Sequence, residues 1–327
     1  MRQATWNFSR FPWATIPKLA AIALLLTASF PVLSLARHKE QKTFSSPAEA
    51  SAALFAASQS GDEKALLEIF GPGGKEIVSS GDDAEDTQSR TNFVEKYQEM
   101  HRLVREPDGT VTLYIGAHNW PTPIPIVNKG SVWYFDTQAG RQEILARRIG
   151  LNEMSAIRIC KELVAAQKDY RAMQHDEYAR EIFSDNGKSD GLYWKASDGQ
   201  PQSPTGPLVA WAVAEEYAKS RGEPPVPFRG YYFHVLTRQG KDAPGGAQDY
   251  VASGKMTEGF AFVAYPAEYR SSGVMTFLVN QDGIVYEKDL GKKTLVQAIK
   301  LKDYNPNSTW RKAALTQEEL SAQQNPN

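Results

Sequence analysis

The sequence predicts an α+β protein in which N-terminal helices precede a small antiparallel sheet, and a long helix precedes a second antiparallel sheet. Three observations carry this. Helix-capping signals and helical apolar stripes come first along the chain, strand-length runs of aromatic and branched residues follow, and the same order is then repeated. A single cysteine, Cys160, excludes an intramolecular disulfide, so packing alone must hold both parts.

Ser46, Pro47 and Glu49 form a helix start, with Ser46 as cap, Pro47 at the first helical position and Glu49 placed to complete a capping box. This helix is expected to run to about Ser58. Gly61 and Asp62 restart a short one through Leu66, Leu67 and Phe70, which Gly71, Pro72, Gly73 and Gly74 end. The acidic stretch Asp82, Asp83, Glu85 and Asp86 reads as a polar segment before a third helix with Phe93, Tyr97, Met100 and Val104 on one side. From Thr110 the period changes: Val111 to Ile115, Pro123 to Val127 and Val132 to Phe135 read as strands, with a turn at Asn128, Lys129 and Gly130. This order resembles that of small cystatin-like or NTF2-like domains.

A long helix is expected from Gln138 to about Met173, with Ala156, Ile157, Cys160, Leu163, Val164 and Tyr170 on its apolar stripe and Gly150 as a kink point. Cys160 thus reads as a core residue. A loop-rich region, Ser184 to Pro207, and a helix through Leu208, Trp211, Ala212 and Tyr217 come next, stopped by Pro224, Pro225 and Pro227. Four strands close the chain: Tyr231 to Leu236, Phe260 to Tyr265, Val274 to Val279 and Ile284 to Tyr286. Asn280 to Gly283 supplies the hairpin turn, its Asp-Gly pair suiting a positive φ.

The resulting organisation is a signal peptide at 1–36, an N-terminal α+β domain at 37–140, the long helix with its sheet at 141–312 and a polar tail at 313–327. The leader reading rests on order: Arg2, Arg10 and Lys18 without an acid, the apolar run Leu19 to Leu26, then Ser34 and Ala36 as small residues before a cut. No cysteine follows the run, so a lipoprotein anchor is not expected. The alternative is an uncleaved segment anchoring the protein to the inner membrane. The leader holds three of the 37 basic residues and none of the 38 acidic ones, so the remainder carries a net charge of −4. That balance offers no basic stripe for nucleic acid. No long apolar run remains either, so no membrane insertion is expected after cleavage.

Several segments together resemble the uncharacterised bacterial exported family called domain of unknown function 2950. They are Ser79-Ser80-Gly81-Asp82, Trp120 to Val127, Trp133 to Gly140, Ala146 to Glu153 and Gly230 to Gly291. The resemblance implies an exported protein without an established activity. The C-terminal half is also similar to pilin and pseudopilin heads: Asn152-Glu153, Ala156-Ile157, Ala165-Ala166-Gln167 and Tyr170 look like the globular half of their helix, and Gly273 to Tyr286 like their closing hairpin. It departs from them where Glu143, Arg147 and Arg148 replace the apolar membrane half, so fibre assembly through that half is not implied.

Chemistry-bearing motifs are sparse. The five histidines include no zinc-spaced pair on a helix face, Asn280-Asp282-Gly283 lacks the downstream glutamate of a calcium loop, and no nucleophile elbow or Walker loop occurs. No metal, cofactor or catalytic residue is therefore expected. The long insertion Gln239 to Lys255 joins strands that a short turn could connect, and offers Lys241, Asp242, Gly245, Gly246, Asp249 and Tyr250 as binding groups. His118 and Trp120, followed by Pro121, Pro123 and Pro125, form a second cluster suited to a sugar or peptide, or to closing the sheet end. The expected role is a non-catalytic binding or assembly module with an envelope protein or glycan partner. The alternative is an exported hydrolase with a site near His234 and Asp249, using Ser253 as the hydroxyl.

Overall fold

The structure, a computed structural model, describes residues 41–79, 83–173, 176–185, 188–194, 203–204 and 225–313. The expected leader, the helix through Leu208 to Tyr217 and all of the polar tail beyond Ala313 lie outside the described residues. By contacts, residues Glu40–Asn327 form one unit. The α+β class holds, with four helices before a first sheet and a long helix before a second.

Helix α1 (Pro47–Ser60) starts as its residues direct: the Ser46 hydroxyl accepts the Glu49 N–H at 3.1 Å. Glu49 reaches back one residue further than a capping box requires, accepting from the Ser45 N–H at 2.8 Å and the Ser45 hydroxyl at 2.6 Å. These bonds hold its carboxyl below the usual range. Helix α2 (Glu63–Phe70) is capped by Asp62, and a short α3 (Lys75–Val78) follows the glycines. Helix α4 spans Asp83–Glu99, so Asp83 and Asp86 of the acidic stretch fall in its first turn, where negative charge complements the helix dipole.

The expectation that this helix continues to Val104 is corrected. His101–Arg105 is strand β1, paired along its whole length with β2 (Val111–Ile115). The second expected strand, Pro123 to Val127, is also shifted, to β4 (Ile126–Lys129), because Pro123 and Pro125 lack the N–H groups a ladder needs. With β3 (Trp120–Pro121) and β5 (Val132–Phe135) these make a five-stranded antiparallel sheet. Its inner face, including Val111, Leu113, Ile126 and Phe135, packs on residues of α1, α2 and α4.

Helix α5 (Thr137–Met173) runs unbroken through Gly150. Its first turn sits against the first sheet, where a Cβ on Gly140 would come within 2.6 Å of Ile124. Its second half enters another core through Ile157, Cys160, Leu163 and Val164. That core is centred on the sheet β17-β15-β14-β13-β8, formed by β8 (Tyr231–Leu236), β13 (Ala261–Pro266), β14 (Met275–Asn280), β15 (Val285–Asp289) and β17 (Arg311–Lys312), all antiparallel. Every residue of β13 is buried, because α5 covers one face while a short helix α6 (Thr294–Ala298) and β16 (Asp303–Tyr304) approach from the chain that follows. Helix and sheet are clamped together. The Glu153 carboxylate accepts the N–H groups of Val274 and Met275 at 2.8 and 3.0 Å, and the Asn152 amide donates to the Ser272 carbonyl at 2.9 Å.

Candidate functional site

The insertion after β8 is an ordered loop built around one buried amide. Strand β9 (Arg238–Gln239) carries the Gln239 side chain inward, where its NH2 donates to the carbonyls of Pro244 at 2.9 Å and Gly246 at 2.6 Å. Its Oε1 accepts the Tyr250 hydroxyl at 2.7 Å. The chain can curl around this amide because Gly245 and Gly246 take φ of 87° and 81°, the left-handed region open to glycine. Asn305 holds the other side: its Oδ1 accepts the Asp242 N–H at 2.9 Å and its NH2 donates to the Asp242 carboxylate at 3.0 Å. The Gly240 N–H donates to the Tyr304 carbonyl, and a Cβ at Gly240 would meet Asn305 at 2.5 Å. Sequence reasoning missed both Gln239 and Asn305. The only signal was an amide beside a Pro-Gly-Gly turn, and Asn305 lies 63 residues from its partner.

This geometry divides the expected binding groups. Tyr250 is corrected: it is fully buried and its hydroxyl is already committed to Gln239, so it cannot offer its ring to a partner. Burial pushes its phenol above its ordinary pKa, and the charge of Asp282 adds to the shift. Asp242 is exposed but engaged by Asn305. Lys241, Gly245 and Asp249 remain exposed, with Gly246 half-buried. Asp249 lies in β10 (Gln248–Asp249) directly opposite Arg238, whose guanidinium is paired with Asp303. Arg238 is held more strongly protonated chiefly by its hydrogen bond to Asp303 and by that carboxylate's charge, with Asp249 adding to the field. The loop therefore presents a cation, an anion and exposed turn backbone on a shape fixed from within.

The second cluster sits on the first sheet and shares no hydrogen bond or ring contact with the loop among the described residues. His118 is exposed in the turn before β3, and Trp120 is 47% exposed. Arg147 of α5 lies 5.3 Å over the Trp120 ring, donates to the Pro121 carbonyl at 2.8 Å and pairs with Glu143 at 2.8 Å. One face of the indole is thus stacked, and the ring ties the sheet end to the long helix.

His234 does not assemble with Asp249 and Ser253. Its Nε2 lies 3.3 Å from the Leu301 carbonyl and its ring packs edge-on to Tyr265, while Asp249 is on the exposed β10 and Ser253 sits in a separate turn at φ 52°. Burial lowers the His234 pKa, opposed by the Leu301 bond. Cys160 is also inert: fully buried, its thiol is pushed up to about 12. Among the described residues no group of three or more His, Cys, Asp or Glu is placed to hold a metal ion, and no helix is long and apolar enough to cross a membrane.

Two cores joined by one helix, with a pinned loop on the second, define an α+β protein whose exposed loop carries no assembled catalytic set. Residues 41–313 match the family described as "Protein of unknown function (DUF2950)", and the chain belongs to that family. No curated protein and no solved structure matches the chain.

Proposed function

We propose that this is an exported envelope protein acting as a non-catalytic binding or assembly module, with the 239–255 loop as its contact surface. One observation carries the reading: Gln239 fixes the loop from inside with three hydrogen bonds while Lys241 and Asp249 stay on its outside. A loop held in one conformation loses little entropy on binding, which is what a recognition surface requires. The order of basic, apolar and small residues in the first 36 positions supports export. Trp120 and His118 form a secondary contact for a glycan or peptide, using the indole face that Arg147 leaves open.

The test is a pull-down from an envelope extract with wild type and the Lys241→Ala/Asp249→Ala variant. Asp242 is left in place because it holds Asn305. Both proteins are expected to melt within about half a kcal/mol of each other, since the changed side chains are exposed. The variant is expected to lose the wild-type partner. Equal capture by a folded variant refutes the loop as the contact surface.

A further inference from the structure

The segment Gly291–Lys302 packs on the second core through Ala298 and Leu301 and turns its other side outward. It contains four lysines, at 292, 293, 300 and 302, and no acid. Within it α6 is fixed by Thr294 and Ala298, both fully buried. Helical periodicity then places Leu295, Val296 and Ile299 on the arc facing away, and they are 41%, 57% and 58% exposed. Three aliphatic side chains in neighbouring positions thus point outward from a five-residue helix and its C-cap, Ile299. All four lysines are exposed, and among the described residues none pairs with a carboxylate. The flanking acids are already engaged: Asp289 accepts the Gly291 N–H and the Tyr269 hydroxyl, and Asp303 pairs with Arg238. The positive charge of the segment is therefore uncompensated beside an exposed apolar tip.

We infer that this segment is a peripheral docking tip for anionic phospholipid, in which Leu295, Val296 and Ile299 enter the headgroup boundary and the four lysines meet lipid phosphates. Charge complementarity selects an anionic surface. The residue types select lipid over an acidic protein. Protein interfaces favour arginine and aromatic residues and are depleted in lysine, whereas every charged residue of this tip is lysine and its exposed apolar residues are all aliphatic. Lysine stems also lie along apolar surface while their ammonium groups reach the headgroups. Three aliphatic groups alone bind weakly, so apolar burial and charge must act together. This is adsorption to a surface and does not need a spanning helix.

The experiment uses the full chain with Val296→Cys carrying an environment-sensitive dye. Val296 is exposed, so the substitution leaves the core untouched, and the buried Cys160 does not compete for label. Because the dye reads position 296 alone, adsorption through another part of the chain does not produce the signal. Vesicles containing phosphatidylglycerol are expected to shift the emission to the blue, and pure phosphatidylcholine vesicles are not. Replacing the four lysines by glutamine should raise the half-saturating lipid concentration at least about ten-fold, and added salt should act in the same direction. Inorganic phosphate and soluble polyglutamate are expected to leave the emission unchanged. The inference is overturned by no shift with phosphatidylglycerol, by equal shifts on both lipids, or by a shift that survives loss of the lysines. A response to polyglutamate but not to vesicles overturns it in favour of an acidic protein partner, and a response to phosphate alone overturns it in favour of a small-anion site.

Discussion

At Gln239 one side chain decides the shape of a 17-residue insertion, because its amide satisfies two carbonyls and a hydroxyl that the loop would otherwise bury unpaired. Gln239→Leu should leave those groups without partners and cost about 1–3 kcal/mol in chemical denaturation. Tyr250→Phe removes a single bond and should cost about 1 kcal/mol. A leucine variant as stable as wild type would show that the loop is not held from within. His234 sets a pH dependence. Its folded pKa is lowered by burial below the ordinary 6.5, so the unfolded chain takes up a proton before the folded one does. The stability contribution is therefore complete above about pH 6.5 and falls as pH drops from there through the lower folded value. The urea midpoint should decline from about pH 7.5 to about pH 5.5, and His234→Gln should flatten that decline; an unchanged slope assigns it to other groups.

Among the elements, the capping residues marked α1 and α2 correctly because caps act within four residues of each other. The end of α4 was not legible. Phe93, Tyr97, Met100 and Val104 continue a helical stripe, yet the chain turns at Met100 and pairs with β2, since five residues of ladder outweigh a local period. The junction of α5 with its sheet is set by contacts of still longer range. Glu153 accepts two N–H groups from residues more than 120 positions away, and Gly273 lies against Tyr231 so closely that an added Cβ would be 2.2 Å from its hydroxyl oxygen. Glu153→Ala should cost about 1–3 kcal/mol by leaving both donors unpaired. Thermal melts of Glu153→Ala and Glu153→Gln separate the explanations: the glutamine variant retains an acceptor and should recover part of the loss.

Across the whole molecule, α5 is the physical link between the two cores, with its middle turns mostly half-buried. Gly150 lies half-buried in this stretch, and a Cβ there meets nothing within 4 Å. Proline differs from other residues here, because it removes a helix hydrogen bond and clashes with the preceding turn at a cost of about 3 kcal/mol. Calorimetry should show wild type melting in one transition and Gly150→Pro in two; two transitions already in wild type would mean the helix does not couple the cores. The sequence by itself determined the α+β class, the first caps, the long helix and its buried cysteine, and the four principal strands of the second sheet, because caps, apolar periods and turn residues act over a few positions. Only the tertiary structure decided that His101–Arg105 is a strand, that Tyr250 faces inward, that His234 meets Leu301 instead of Asp249, and that Leu295, Val296 and Ile299 remain outside. Each of these depends on which distant backbone or side chain fills the space beside it, and no local pattern encodes that partner.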